Sequence, residues 1–140
     1  MTNENEVNLE AIIKHEETGK YVVIGVPEKY FNPAKNSKKI VLISRKNMSH
    51  GSIVDEYLEY IPGGYKMILK TGNHINAIRA MNLNFLGGGI LTMDPENKHI
   101  RTFGKSQAYG KPDRDLVEKI LKTAYPDYTL DIQVTDEVRD

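Results

Sequence analysis

The sequence contains no cysteine and no tryptophan among its 140 residues. Without cysteine the chain has no disulfide, no thiolate nucleophile and no cysteine ligand for zinc, so several classes of enzyme are excluded. Any covalent chemistry must therefore use histidine, serine, threonine, lysine or a carboxylate.

The chain also lacks an excess of charge of either sign. Nineteen basic and nineteen acidic residues cancel to a formal net charge of zero. Because no overall field attracts a polyanion, nucleic acid and anionic membranes are not expected as partners. Binding must come from a local site.

A long apolar run is missing as well. No stretch approaches the ~20 apolar residues that span a bilayer, and residues 1–6 are polar and unlike a signal peptide. We therefore expect a cytoplasmic protein. With 39% hydrophobic residues, a chain of 140 residues can bury one sizeable core, which predicts a single domain over residues 1–140.

Apolar patterning predicts both strands and helices. Strands are predicted for the β-branched runs and for an alternating stretch near the end, at 21–26, 39–44, 99–103 and 128–134. Helical spacing predicts one helix capped by Ser49 or Ser52 and a second that starts at 111–113. The turn at 94–97 predicts a hairpin, and a polar loop is expected at 27–37.

Two segments are harder to assign. Residues 65–69 fit a strand and residues 75–81 fit a short helix. Gly87, Gly88 and Gly89 are expected to break the short apolar run before them, by a tight turn or by close packing against a neighbouring loop. The whole pattern predicts an α+β (α/β) fold, with a mixed sheet of five to six strands packed against two to three helices.

His50 is the candidate catalytic residue, because it lies where a strand and loop lead into a helix. The positive end of the helix dipole disfavours imidazolium, so a histidine there tends towards its neutral, nucleophilic form. The alternative is an ordinary surface histidine in a loop. The four histidines show no ligand spacing, and the sequence predicts no metal site.

The loop at 103–110 is the candidate anion site. It carries glycines at both ends with Lys105 and Ser106 between them, a composition typical of loops whose backbone N–H groups hold phosphate. The alternative is an ordinary Gly/Ser loop. A P-loop is excluded because position 99 is histidine where that motif requires glycine. Lys20 becomes part of a site only if the sheet brings it beside this loop.

Several separated segments, in order, resemble the Janus/Ocnus family, whose best-known members are small eukaryotic protein histidine phosphatases of the 14 kDa phosphohistidine phosphatase type. These segments are GKYVVI at 19–24, SKKIV at 37–41, SHGSIVD at 49–55, LGGG at 86–89, SQAYG at 106–110 and YPDY at 125–128.

The resemblance implies roles for particular residues. The family's catalytic histidine matches His50, its phosphate-binding loop matches Ser106, Gln107 and Ala108, and its assisting lysine matches Lys20. Backbone N–H groups at the start of the following helix, at Gly51, are expected to help bind the phosphate. The implied α/β domain has a mixed sheet and needs no metal or other cofactor.

The implied reaction is hydrolysis of the P–N bond of phosphohistidine or phospholysine in protein substrates. His50 acts as nucleophile or as general base, and both roles require its neutral form. Activity is therefore expected to fall as the pH drops through the pKa of His50, whose unperturbed value is about 6.5. A monomer is the expected form.

The chain departs from the family in three places. Two common arginines match Leu42 and Ile90 here, and about fifteen extra residues fall within 62–82, a length that surface loops tolerate. The missing arginines leave open a non-catalytic phosphoryl-binding or protein-interaction module. A third alternative is self-association through this insertion, which predicts an exposed apolar patch formed by Tyr65, Met67, Ile68 and Ile75.

Overall fold

A computed structural model describes residues 7–135 of the protein. Its six strands are β1 (Asn8–Ile13), β2 (Glu17–Pro27), β3 (Lys38–Arg45), β4 (Asn84–Asp94), β5 (His99–Phe103) and β6 (Thr129–Ile132). Its four α-helices are α1 (His50–Tyr60), α2 (Gly64–Thr71), α3 (His74–Ala80) and α4 (Arg114–Ala124). The predicted α+β fold with a mixed sheet is confirmed, and the helices are one more than the predicted two to three.

The strands form one sheet in the order β1-β3-β2-β4-β5-β6. The two outer pairs, β1 with β3 and β5 with β6, are parallel, whereas the inner pairs are antiparallel. The central strand β2 is eleven residues long and is buried along most of its length. The predicted hairpin between β4 and β5 is confirmed.

Helices cover both faces of the sheet, and each face has its own core. We call them the α1 face and the α4 face after the helices that pack there. On the α1 face, the core is formed by Val22, Ile24, Val41, Ile43, Ile53, Val54, Leu58, Ala77 and Met81. On the α4 face, it is formed by Tyr21, Val23, Leu42, Leu91, Ile100, Val117, Ile120 and Leu121. Alternate residues of β2 and β3 point to opposite cores, as the two-residue period of a strand requires.

The predicted strand at 65–69 is wrong, because these residues lie in α2. Gly63 and Gly72 flank this helix with φ values of +82° and +94°, a left-handed conformation that glycine adopts without steric cost. The helix packs Met67 and Ile68 against the α1-face core. Tyr65 and Ile75 are exposed, so only half of the predicted apolar patch lies on the surface. The short helix predicted at 75–81 is confirmed as α3.

The predicted break at 87–89 is also wrong. The three glycines lie inside β4, which extends from Asn84 to Asp94, and its pairing with β2 only shifts register between Phe85 and Gly88. The alternative expectation of close packing against a neighbouring loop is confirmed, since atoms of residues 103–112 approach Gly87 and Gly89 closely.

Other boundaries differ by a few residues. The strand β1 was not predicted, since its six residues NLEAII are only half-buried and lack a clear alternating pattern. The polar loop at 27–37 contains a short 3-10 helix at Glu28–Tyr30. The last strand ends at Ile132, two residues before the predicted Val134. Within residues 7–135 no helix is both long enough and apolar enough to cross a membrane.

Candidate functional site

His50 is the first residue of α1, and Ser49 caps that helix. The Ser49 Oγ accepts a hydrogen bond from the Ser52 N–H at 3.1 Å, so the first of the two predicted caps is correct. The His50 side chain is only 2% exposed. The alternative of a surface histidine in a loop is therefore wrong.

A backbone carbonyl fixes the proton on the His50 ring. The Nε2 atom lies 3.0 Å from the Gly89 carbonyl oxygen. A carbonyl oxygen only accepts, so Nε2 carries the proton and donates it in this hydrogen bond. In the neutral ring the lone pair then belongs to Nδ1, which is the atom suited to attack phosphorus or to accept a proton.

Gly88 lets His50 and Ser106 approach the same point of β4. A Cβ atom at position 88 would lie 3.2 Å from His50 Cδ2, 3.3 Å from Ser106 Cβ and only 2.5 Å from the Tyr21 carbonyl oxygen. Any larger residue would have to displace one of these groups. The structure thus brings together two of the predicted site residues, His50 and Ser106, on the α1 face.

The neighbouring glycines serve the same packing. Gly87 has a φ of +99°, and a Cβ atom there would lie 2.6 Å from the Pro112 backbone. A Cβ atom on Gly89 would lie 2.8 Å from the Phe103 carbonyl oxygen. The glycine run therefore allows the loop after β5 to cross β4 at close range, rather than interrupting the strand.

Hydrogen bonds tie this loop to Gly88. The Ser106 N–H donates to the Gly88 carbonyl oxygen at 2.9 Å, and the Gly88 N–H donates to the Gly110 carbonyl oxygen at 3.2 Å. Within the loop, the Gly110 N–H donates to Ser106 O at 2.8 Å and the Tyr109 N–H to Ser106 Oγ at 3.1 Å. These bonds give the loop a fixed shape.

The same hydrogen bonds show which N–H groups of the predicted anion site, the loop at 103–110, are left to bind an anion. The Ser106 N–H already donates within the fold. Of the three predicted residues, only Gln107 and Ala108 therefore keep a main-chain N–H for an anion. Both residues are exposed, and neither N–H takes part in a hydrogen bond among residues 7–135. The Ser106 hydroxyl accepts from Tyr109 through its oxygen and keeps its proton for donation.

A cavity of about 400 Å³ lies at this loop. Its lining is formed by Lys105, Ser106, Gln107, Gly110 and Lys111. Two lysines and backbone N–H groups make it suitable for an anion. His50 and Lys20 are not part of that lining.

Lys20 lies on the α1 face, where β2 pairs it with Ile90 of β4 and with Arg45 of β3. On this face, the next pair along β2 and β4 is Val22 with Gly88. Lys20 is therefore two residues, or about 7 Å, from Gly88, where the loop after β5 crosses β4. Its side chain is half-buried. The sheet therefore puts Lys20 on the face of His50.

Tyr109 is a site residue that the sequence reasoning left out. Its ring packs on Phe85 with centroids 4.5 Å apart, and its hydroxyl lies 3.9 Å from where a Cβ on Gly51 would be. Burial raises the pKa of Tyr109, and the charge of Asp55 adds to this effect. The signal was an aromatic residue inside an otherwise small and polar loop.

The two positions that match the family arginines lie on opposite faces. Leu42 is fully buried in the α4-face core. Ile90 is 4% exposed and shares the α1 face with Gly88, directly opposite Lys20. Arg45 is a second cation on this face, where it is the β3 neighbour of Lys20. It forms an ion pair with Glu56 of α1.

Within residues 7–135 no group of three or more histidine or acidic side chains lies close enough together to hold a metal ion. The remaining histidines lie away from the crossing of β4 and the loop. His74 contacts Glu59 on the helical layer, and His15 contacts Ser44 near the start of β2.

Known proteins resemble this chain over about a third of its length. It is 46% identical over 51 residues to the sex-regulated protein janus-A of Drosophila melanogaster and 45% identical to that of Drosophila yakuba, with 36% of this chain and 36% of each relative covered. For janus-A of Drosophila pseudoobscura pseudoobscura, the identity is 38% over 52 residues, covering 37% of this chain and 34% of the relative.

These matches thus span about a third of the curated relatives. The profile of the Janus/Ocnus family extends much further and matches residues 6–129, from before β1 to the start of β6. That range includes His50, the three glycines of β4 and the whole loop at 103–112. The protein therefore belongs to the Janus/Ocnus family.

Proposed function

We propose that the protein is a phosphatase that hydrolyses the P–N bond of phosphohistidine, and of phospholysine, in protein substrates. The observation that carries this proposal is the close approach of both His50 and Ser106 to Gly88, with the His50 proton held on Nε2 by a carbonyl. A base or nucleophile beside an anion-binding loop is the arrangement that metal-free phosphoryl transfer needs.

His50 acts through Nδ1. As nucleophile, its lone pair forms an N–P bond while the P–N bond of the substrate breaks, and the leaving amine or imidazole nitrogen takes a proton from solvent. Water then attacks phospho-His50, releasing phosphate and a proton and restoring the neutral ring. As general base, Nδ1 instead accepts a proton from the water that attacks phosphorus. In both cases protonation of His50 stops turnover at acidic pH.

The other predicted residues hold the phosphoryl group. The N–H groups of Gln107 and Ala108, the Ser106 hydroxyl and the first-turn N–H of Gly51 donate to its oxygens. Lys20 offsets the negative charge that develops there. The donors are held by the fold before substrate arrives, so no reorganisation is needed in the transition state.

A second candidate function is a non-catalytic phosphoryl-binding module. It is favoured by a specific observation, the burial of His50 to 2% exposure beside a cavity whose lining contains Lys105 and Lys111 but not the histidine. On this alternative, phosphate sits among the lysines and loop N–H groups, and His50 only packs the start of α1.

The test is phosphate release from a phosphohistidine peptide in the presence of excess chelator. We compare the unmodified protein with His50→Ala and with His50→Gln, which keeps an N–H donor for Gly89 and most of the side-chain volume. Turnover should fall by about 10²–10⁴-fold in both variants, because a positioned acid–base group contributes that much. His99→Gln, a histidine at the β4–β5 hairpin, is the matched control and should retain full activity.

Equal turnover in all four proteins would contradict the role of His50. Phosphate binding without turnover by the unmodified protein, measured by calorimetry, would support the binding module instead. Trapping a phosphorylated protein with labelled substrate would distinguish the nucleophile from the general base.

A further inference from the structure

The segment at 60–82 builds a groove next to the proposed phosphoryl site. A cavity of about 510 Å³ lies between α3 and the start of β4, within the usual range for ligand pockets. Its apolar wall is formed by Ile75, Ile78, Leu83, Phe85 and Tyr109. The lining also contains Arg79 and Asn82, so four of its seven residues come from residues 62–82, where the sequence departs from the family pattern.

Arg79 lies beside this apolar wall and carries a positive charge. Its side chain is exposed in the last turn of α3 and lines the groove. Among the four arginines within residues 7–135, the other three form ion pairs with acidic side chains, and Arg79 does not. A guanidinium beside an apolar surface suits a ligand that carries an apolar side chain and a carboxylate close together.

Tyr109 belongs to both the groove and the proposed phosphoryl site. Its ring lines the groove against Phe85, while its N–H donates to Ser106 Oγ and its hydroxyl approaches Gly51. A chain that enters the phosphoryl site can therefore continue into the groove without a break in the surface.

Exposed apolar side chains are concentrated in the same segment of the chain. Of the five large hydrophobic side chains that are strongly exposed within residues 7–135, four lie between 60 and 75: Tyr60, Tyr65, Leu69 and Ile75. An apolar patch concentrated in one segment is typical of an interaction surface rather than of random surface composition.

We propose that this groove binds the segment of the substrate protein that flanks the phosphorylated residue. An apolar substrate side chain packs between α3 and Tyr109, and a neighbouring Asp or Glu pairs with Arg79. This inference rests on the proposed phosphatase function, and it adds a sequence preference for an apolar and acidic pair beside the phosphohistidine.

The experiment compares three phosphohistidine peptides that differ only in the flanking pair: Leu-Asp, Ser-Asn or Leu-Lys. The Leu-Asp peptide should have a KM about tenfold lower than the Ser-Asn peptide, as one charge-assisted contact with apolar packing provides. Arg79→Glu should raise the KM of the Leu-Asp peptide about tenfold and lower that of the Leu-Lys peptide. Arg101→Glu, an exposed arginine on β5, is the matched control and should change neither value.

Phosphoramidate, which is too small to reach the groove, separates this inference from the proposed function. Turnover of phosphoramidate with equal KM values for the three peptides would overturn the groove and leave the phosphatase intact. If nothing is turned over, the peptides are titrated as stable phosphonate analogues by fluorescence anisotropy. A preference for Leu-Asp that Arg79→Glu reverses would then support the groove without the enzyme, and equal affinities would overturn both.

The alternative occupant of this surface is a second copy of the chain. Sedimentation of the unmodified protein and of Ile75→Asp decides that case. A dimer that Ile75→Asp dissociates, with no peptide preference in the monomer, would replace the proposed substrate groove by a self-association surface.

Discussion

The two faces of the sheet differ in how their helices meet the strands. On the α4 face, one amphipathic helix buries Val117, Ile120 and Leu121 against aliphatic and aromatic strand residues. On the α1 face, the end of the sheet near His50 is occupied by glycine backbone, a buried histidine and a hydrogen-bonded loop. Large side chains fill the interface on the α4 face. On the α1 face near His50, close backbone contacts take their place.

The candidate site lies on the α1 face. This face carries four polar or charged side chains of the candidate site: His50, Ser106, Lys20 and Arg45. Leu42, where the family commonly has an arginine, is part of the opposite core. Stability and the proposed chemistry should therefore respond to different substitutions.

The largest expected effect separates stability from activity. Leu42→Ala removes a fully buried side chain from the α4-face core and should lower the free energy of unfolding by about 2–5 kcal/mol. Phosphohistidine turnover by the folded protein should stay unchanged at temperatures below its transition. Urea denaturation and phosphate release measure the two quantities. A loss of turnover without a loss of stability would contradict the division between the faces.

The same substitution at two glycines tests the crossing point. Gly88→Ala places a Cβ atom 2.5 Å from the Tyr21 carbonyl oxygen and should cost about 1–3 kcal/mol of stability. It should also reduce turnover about a hundredfold by moving His50 from Ser106. Gly25→Ala is the control, because its nearest atom is Asn84 Cβ at 3.5 Å and both stability and turnover should change little. Equal effects at the two positions would disprove the special packing at Gly88.

Alkaline pH compares one buried tyrosine from each core. Burial raises the pKa of Tyr21 on the α4 face and of Tyr57 on the α1 face, with the charge of Glu10 adding to the shift of Tyr57. In the unfolded chain, tyrosine loses its proton near pH 10, while the folded state still binds it. The stabilisation is thus complete below about pH 10 and is lost as the pH rises towards the raised pKa values.

At pH 11, each tyrosine should therefore have lost about 1.4 kcal/mol of its contribution relative to pH 8. Tyr21→Phe and Tyr57→Phe should each abolish that part of the loss, as measured by urea denaturation at both pH values. Tyr65→Phe, a change at an exposed tyrosine of α2, is the control. Parallel curves for all three variants would contradict the burial argument.

The smallest effect compares two helix caps. Ser49 caps α1, and Asp113 caps α4 by accepting from the N–H groups of Asp115 and Leu116 at 2.9 and 3.3 Å. Ser49→Ala and Asp113→Ala should each cost about 1 kcal/mol. Ser49→Ala should also lower turnover, because the cap positions His50, whereas Asp113→Ala should not. Thermal unfolding and phosphate release on the same samples check both statements.

Much of the fold follows from short-range patterns in the sequence. The β-branched runs at 21–26 and 39–44 lie in buried strands, and the amphipathic spacing after 113 matches α4. The errors arise where tertiary packing overrides local preference. Residues 65–69 form a helix because flanking glycines and packing favour it, and β1 forms because β3 offers a parallel edge.

The candidate site was predictable only in part, for a similar reason. His50 and Ser106 were visible as residue types at turns, but their approach to Gly88 depends on three glycines that admit a loop from much further along the chain. Tyr109 gave only a weak signal, as an aromatic residue in a small and polar loop, and Arg79 gave none. Their relation to the site exists only after α3, β4 and the loop are folded together.

The proton of His50 is held by a main-chain oxygen, and this has an evolutionary consequence. Many histidine sites depend on a carboxylate partner that a single codon change can remove. Here the acceptor is the carbonyl of residue 89, which every amino acid supplies. This acceptor is therefore kept under changes of side chain, as long as β4 retains its register and its three glycines. Insertions or deletions inside β4 should therefore be rarer among functional descendants than substitutions around it.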